Sequence, residues 1–419
     1  MENAAVKKLD VRGNNDPAAI AGALRRVDGF LSASVRGVAR GIVEGVREGG
    51  DEALLDYTER FDGVRPENVR VPVEEIERAR GSLSPELRES FAFAIENVRS
   101  FHRREMERSW KQSRGGATVG QRVRPIRRAG LYVPGGHGAY PSTLVMSAVP
   151  AQVAGVGEIR VCTPPGPEGR ADGSVLAVAG LLGLEEVYVL GGAQAVGALA
   201  FGTQTVRPVD KIVGPGNDFV TAAKLEVFGV VGIDAPQGPS EVLVIADASA
   251  FPERVARDLM AQAEHLSGAS AVLLTPSEEL MRHVEPLLTG EPSELITLVR
   301  VQNNAQAVEI SNEYAPEHAH VISEDDEAIL QDLDAVGMVA VGDFSPVALG
   351  DYAAGPSHAL PSGGAAVWAS ALGTRDFLAH TNYIHYTEEA LQEIGPHVER
   401  LARLEGFENH ADSVGVRLR

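Results

Sequence analysis

From residue 129 the chain repeats one pattern: a short β-branched run, a Gly- or Pro-bearing loop, then an Ala-rich helical stretch. The segments "GLYVPGG", "EIRVCTPP", "EVYVLGGAQAVGALAFG" and "KIVGPGNDFVTAAK" follow it, and "EVLVIAD", "ASAVLLTPS" and "GMVAVGD" resume it. Such alternation means βαβ units, which assemble into a mostly parallel sheet covered by helices on both faces. The fold class is therefore α/β. The two runs of units, before and after residue 238, imply two α/β domains, and a chain of 419 residues is too long for one small core.

The flanks differ. The first 110 residues or so read as helical, with Val35, Val38, Ile42 and Val46 repeating along one helical face. Ser84 is placed to cap a helix that starts at Pro85, where a missing N–H is harmless. The tail from about residue 373 reads as helical again. No low-complexity linker separates the parts, so they are expected to pack closely.

Charge and cysteine content exclude whole classes of function. Lys and Arg number 38 against 58 Asp and Glu, a net charge of −20, and a surface that acidic repels nucleic acid and anionic lipid. No apolar run approaches the roughly 20 residues needed to span a bilayer, and the start lacks the apolar centre of a signal peptide. The expected setting is cytoplasmic. Cys162 is the only cysteine, which excludes disulfides within the chain and thiolate-rich zinc sites. Any metal must be held by His, carboxylate or amide groups.

A parallel α/β protein invites a nucleotide, yet neither the G-x-G-x-x-G fingerprint nor the G-x-x-x-x-G-K-[ST] phosphate loop occurs. Three glycine loops end strands instead: Gly135–Gly136, Gly191–Gly192, and Gly214-Pro215-Gly216-Asn217. Carboxyl ends of strands are where α/β sheets bind ligands, although glycine serves any tight turn.

Two segments carry metal-ligand or proton-transfer chemistry. In "FPERVARDLMAQAEHLSG" the apolar stripe Val255, Leu259 continues into Gln262, with His265 three residues further on the same face. Amide and imidazole could share one cation; a helix end dipping into solvent explains the same residues. In "YAPEHAH" Glu317 and His318 are a candidate proton-transfer pair, since histidine titrates near neutrality. His320 is read as pointing to the opposite face of a strand from His318, which leaves no metal clamp from those two. Asp351, His358, Glu405 and His410 are further candidates in loops and the tail. His102, His137, His283, His380, His385 and His397 are read as surface residues.

Eight motifs then come in a specific order: "GLYVPGGHGAYPSTLVM", "GGAQAVGALAFGT", "KIVGPGNDFVTAAK", "GPSEVLVIAD", "AQAEH", "EYAPEH", "GDYAAGPSHALP" and "EGFENHADSV". In order and spacing they resemble the histidinol dehydrogenase family, from "ERFDG" near residue 60 to the C-terminus. The resemblance implies two incomplete Rossmann-like parallel-sheet domains with small helical terminal segments. Residues 1–24 would form an N-terminal segment. Residues 25–128 with 239–372 would form one discontinuous α/β domain, 129–238 the NAD-binding one, and 373–419 a helical segment reaching a partner subunit.

It further implies oxidation of L-histidinol to L-histidine with two NAD and one Zn2+ per subunit, in a homodimer with shared active sites. Metal ligands would be Gln262, His265, Asp351 and His410, the last from the partner. Glu317 and His318 would be the acid–base pair, and Tyr132, Gln194 and Asn217 the NAD contacts. Ser240, His358 and Glu405 would join the metal ligands and His318 in binding substrate.

Leu266 after His265, "EHAH", "SHALPS" and "AVWAS" depart from the family pattern without removing any of these residues. An alternative is a family relative that oxidises another small polar primary alcohol, such as a sulfonated diol. A non-catalytic zinc- or nucleotide-binding protein of the same fold would be expected to lose the base, and His318 is present.

Overall fold

The computed structural model describes residues 6–25, 31–135, 138–265 and 268–418. The chain divides into two compact units, Met1–Glu105 with Arg127–Phe377, and Met106–Ile126 with Leu378–Arg419.

The first unit holds two parallel sheets. Across the first run the strands Val187–Val189, Glu158–Thr163, Arg128–Tyr132, Lys211–Val213 and Gly232–Ile233. Across the second run Lys7–Asp10, Ile296–Arg300, Ser270–Thr275, Glu241–Ala246, His318–Ile322 and Met338–Val341. Apart from the added edge strand Lys7–Asp10, the order is the same in both. The chain starts in the middle, adds two strands on one side, then crosses back and adds two on the other. This is the doubly wound order, and the crevice where it reverses is the natural place for a ligand. In the first sheet the reversal lies between Arg128–Tyr132 and Lys211–Val213; in the second it lies between Glu241–Ala246 and His318–Ile322.

Central strands are buried on both faces, so they read as continuous apolar runs rather than alternating ones: Ser270–Thr275 is buried at every residue. The edge strand Lys7–Asp10 has no such signature and was expected to be helical or irregular. It exists because it pairs in register with Thr297–Arg300. Ser84 caps the helix Pro85–Arg103 as the sequence implies, its Oγ accepting the Leu87 N–H at 3.3 Å.

The long helix Ala33–Asp62 is broken at Gly50, whose φ of 59° leaves helical geometry. Its Ile42, Val43, Val46 and Leu54 share a core with Val196, Leu199, Val220 and Val227. This part of residues 25–128 therefore packs with residues 129–238 rather than with 239–372. Val38, expected on the apolar face, is exposed.

One turn of the first sheet is held by buried charge. Lys224 and Asp234, both inside the protein, form an ion pair that brackets Gly214. Asp234 Oδ2 accepts the Gly214 N–H at 2.7 Å, and Lys224 Nζ donates to the Gly214 carbonyl at 3.0 Å. Gly214 has φ +117°, and a Cβ there would lie 2.1 Å from the Tyr132 carbonyl oxygen, so no other residue fits.

The second unit is a three-stranded antiparallel sheet, Leu378–Tyr386, Ala117–Pro125 and Trp110–Arg114, followed by the helices Glu388–Leu404 and Glu408–Gly415. The tail thus opens with a strand, not a helix. Leu378–Tyr386 pairs along its whole length with Ala117–Pro125, a partner more than 250 residues away that no local pattern announces. Ile384, Leu401, Leu404 and Phe407 of this unit are exposed. Among the described residues no helix is long and apolar enough to cross a membrane.

Asp234→Ala would leave the Lys224 ammonium buried and unpaired, and should lower stability to urea by about 3–5 kcal/mol. A loss below about 1 kcal/mol would show that the pair does not hold this turn.

Candidate active site

At the carboxyl edge of the first sheet lies a cleft of about 640 Å³ whose lining includes Tyr132, Gln194 and Asn217. Three strand ends bring them together. Tyr132 closes its strand, and its phenol oxygen accepts the Gly192 N–H at 3.0 Å; burial pushes the phenol up from its ordinary value. Gln194 sits in the first turn of the helix Gly192–Phe201 and donates through Nε2 to Asp62 at 3.3 Å. Asn217 caps the helix Asp218–Val227, its Oδ1 accepting the Phe219 and Val220 N–H groups at 3.1 Å. Gly135 lines the cleft, while Gly136 and His137 lie outside the described residues. Two helices thus begin at the cleft, and their unpaired N–H groups suit a diphosphate. The glycines such a site needs are spread over three strand ends, which is why no single-loop fingerprint exists.

The second sheet offers its chemistry at the opposite edge. Ser240 and Glu317 stand immediately before the two strands at the reversal point, and His318 begins the second of them. The turn that delivers Glu317 is tight. The helix Asn304–Tyr314 ends on Ala315 at φ 48°, the single non-glycine residue with positive φ among the described residues, and Pro316 blocks further helix.

Glu241 then holds both members of the pair with its main chain. Its N–H donates to Glu317 Oε2 at 2.9 Å, and its carbonyl lies 3.2 Å from His318 Nδ1. With the proton on Nδ1, Nε2 is left bare, 3.4 Å from Asp351 Oδ1. Burial disfavours the imidazolium, but Glu317 and Asp351 outweigh it and raise the His318 pKa to about 10.

Asp351 lies on the short helix Ala348–Tyr352. Burial would raise its pKa; His318, and with it His358 and His265, lowers it below the usual carboxylate range. His358 Nδ1 donates to the Asp351 carbonyl at 2.8 Å, and its Nε2 lies 3.1 Å from Thr143 Oγ1, so both ring nitrogens are engaged. Gln262 is buried near the end of the helix Pro252–Ala263, and its amide nitrogen has no hydrogen-bond partner among the described residues. His265 is exposed just past that helix end.

A buried, orphaned amide, a carboxylate and an imidazole make an N/O donor set suited to zinc. Among the described residues no three His, Cys, Asp or Glu side chains form a metal-holding group; the set here needs the Gln262 amide. Glu405 and His410 belong to the second unit and are exposed, Glu405 closing the helix Glu388–Leu404 and His410 lying 5.2 Å from the Phe407 ring.

The family model for histidinol dehydrogenase matches residues 29–418. A histidinol dehydrogenase of Synechococcus sp. is 45% identical over 394 residues, covering 90% of this chain and 91% of its own. One of Methanothermobacter thermautotrophicus is 44% identical over 399 residues, covering 92% and 94%. The crystal structure of histidinol dehydrogenase from Elizabethkingia anophelis superposes with a TM-score of 0.92 at 34% identity, covering 99% of this chain and 98% of that one. The chain belongs to the histidinol dehydrogenase family.

Within this histidinol dehydrogenase fold two readings of histidines need correction. His318 and His320 lie two residues apart in one strand, and residues two apart in a pleated strand share a face. They do not point oppositely; distance along the strand separates their partners. His320 is buried, with Nδ1 2.9 Å from Asp258 and Nε2 3.0 Å from the Gly342 carbonyl. Asp258 is one helical turn before Gln262, so His320 ties the helix of Gln262 to the base-bearing strand. His102 is fully buried rather than on the surface, its Nδ1 2.7 Å from Glu105. Its neighbours Arg103 and Arg104 disguise it. His283, His380, His385 and His397 are exposed as expected, and His137 and Leu266 lie outside the described residues.

Sequence reasoning missed Glu241 and Asp62. The first was legible as a lone carboxylate opening the apolar run "EVLVIA". Glu241 is buried beside Glu317, its carboxylate accepting the Gly363 N–H at 3.1 Å. Burial, then repulsion from Glu317, raises its pKa from 4.5 to about 7. Because the folded value is the higher one, the folded chain binds this proton more tightly. The stability it contributes is full below about pH 4.5 and is lost as pH rises through about 7. Glu241→Gln should therefore be more stable than the parent at pH 8, by up to about 3 kcal/mol, with the difference closing at pH 4.5. Urea midpoints at the two pH values check this; a gap that does not change between them would refute it.

Proposed function

We propose that this protein oxidises L-histidinol through L-histidinal to L-histidine, reducing two NAD, as a homodimer with shared active sites. The observation that carries it is the arrangement of Glu317 and His318 on the Glu241 main chain, with His318 Nε2 turned to Asp351. The orphaned Gln262 amide supports a metal in the same place. Zinc, bound by Gln262, His265, Asp351 and the partner's His410, would supply positive charge that orients a nitrogen of the substrate and offsets the carboxylate charge around His318. NAD in the cleft supported by Tyr132, Gln194 and Asn217 would accept one hydride in each step.

The chain's own residues handle the protons. Loss of hydride from an alcohol carbon leaves a carbonyl only if the hydroxyl proton departs, and His318 takes it at Nε2. The Glu241 carbonyl holds the other ring nitrogen, so the imidazole keeps its tautomer while it does so. In the second step water adds to the aldehyde. Glu317, fixed at Oε2 by the Glu241 N–H, removes a proton from that water. His358 steadies Asp351 through its carbonyl. Ser240, His358 and the partner's Glu405 complete the substrate contacts.

Carboxylates dominate this region: Glu241, Glu317 and Asp351. Such a site attracts the ammonium group of histidinol and repels a sulfonate, which favours histidinol over a sulfonated diol. The exposed apolar side chains Leu401, Leu404 and Phe407 near Glu405 and His410 support burial of this segment in a dimer. A biosynthetic dehydrogenase of this charge, with no membrane-spanning helix among the described residues, fits the cytoplasm.

Metal-replete protein incubated with NAD and L-histidinol should yield two NADH per histidinol; turnover only with another alcohol, or none, would overturn the reading. His318→Gln should lower turnover by roughly 10²–10⁴ with zinc content unchanged. Zinc loss in that variant would instead make His318 a ligand. His410→Asn should lower bound zinc, measured by elemental analysis after dialysis, and an unchanged content would remove His410 from the site.

A further inference from the structure

We propose that Asp62 receives the adenosine ribose hydroxyls of the dinucleotide and so selects NAD over NADP. The inference rests on the reading of the first-sheet cleft as the dinucleotide site.

In dinucleotide-binding α/β folds an acid a little beyond the first glycine loop takes the ribose 2′-hydroxyl. This chain has no acid at the end of the second strand of that sheet. Glu158–Thr163 runs directly into Pro164-Pro165-Gly166-Pro167. A carboxylate reaches the same place from elsewhere. Asp62 is the last residue of the helix Ala33–Asp62 and lines the cleft with Thr163, Pro164 and Gly192. A Cβ built on Gly191 would lie 2.6 Å from Pro164 and 3.5 Å from Asp62 Oδ1, so the carboxylate, the end of the second strand and the loop of the third converge on one point. Given the strand order, that point is on the side of the sheet away from the reversal's outgoing strands, where the adenosine half of a dinucleotide lies.

The carboxylate is also available. Oδ2 receives the Gln194 amide at 3.3 Å, and among the described residues no hydrogen bond reaches Oδ1. Asp172, the other carboxylate at the cleft, already accepts from the Ser174 N–H and hydroxyl as a helix cap. The described lining contains neither Lys nor Arg. A half-buried carboxylate without a cation needs hydrogen-bond donors, and burial alone raises its pKa to about 6. A ribose diol supplies two donors. A 2′-phosphate supplies none, brings two negative charges, and finds no cation to meet them.

The test is fluorescence titration of NADH and NADPH into the parent protein, Asp62→Asn and Asp62→Ala, without turnover. The parent should bind NADH far more tightly than NADPH. Both variants should weaken NADH binding by roughly tenfold to a hundredfold, the range for a hydrogen bond to a charged group. Their preference for NADH over NADPH should narrow by at least about tenfold. Asp62→Asn keeps the shape of the side chain and serves if Asp62→Ala does not fold. An unchanged NADH:NADPH ratio in a folded variant would overturn the role of Asp62 while leaving the cleft intact. A parent that binds neither dinucleotide would overturn the reading of the cleft itself, and the proposal with it.

Discussion

The arrangement depends on the pairing of two neighbouring parallel strands, Glu241–Ala246 and His318–Ile322, where the order of the second sheet reverses. Pairing places the first peptide group of one strand beside the start of the other. The Glu241 N–H and carbonyl, which would otherwise be unsatisfied at the sheet's end, bind Glu317 and His318. Backbone groups cannot rotate away as a side-chain partner could. The base therefore owes its orientation and tautomer to the sheet itself.

The two sheets share a strand order and use it at opposite ends. The first follows the usual rule, with Tyr132, Gly192 and Asn217 at carboxyl ends, where helix N-termini gather for a diphosphate. The second places Ser240, Glu317 and His318 at amino ends, where the helix Pro252–Ala263 finishes and brings Gln262 and His265. The helix C-terminus and the surrounding carboxylates make that edge negative, which suits a cation and an amine substrate. One edge therefore favours phosphate and the other favours positive charge, each through the polarity of its helix ends.

Buried polar residues outside the reacting groups support this division. Lys224 and Asp234 clamp the turn that carries Asn217, and His320 with Asp258 braces the helix that carries Gln262. Such residues are silent in a sequence. A lysine in an Ala-rich helix looks like a solvated charge, and His320 looks like a spare imidazole. Their meaning is the partner, which is 10 residues away for Lys224 and 62 for His320.

What the sequence determined by itself was everything that repeats or is covalently local. The βαβ alternation set the fold class, Ser84 and Pro85 set a helix start, and Val255, Leu259 and Gln262 marked a face that buries an amide. The order of eight motifs pointed to the family. Only tertiary structure decided the edge strand Lys7–Asp10, the strand Leu378–Tyr386, the burial of His102, and the roles of Glu241 and Asp62. Each of these is made by a partner distant along the chain, and hydrogen bonding or desolvation between distant segments leaves no periodicity in the residues that take part.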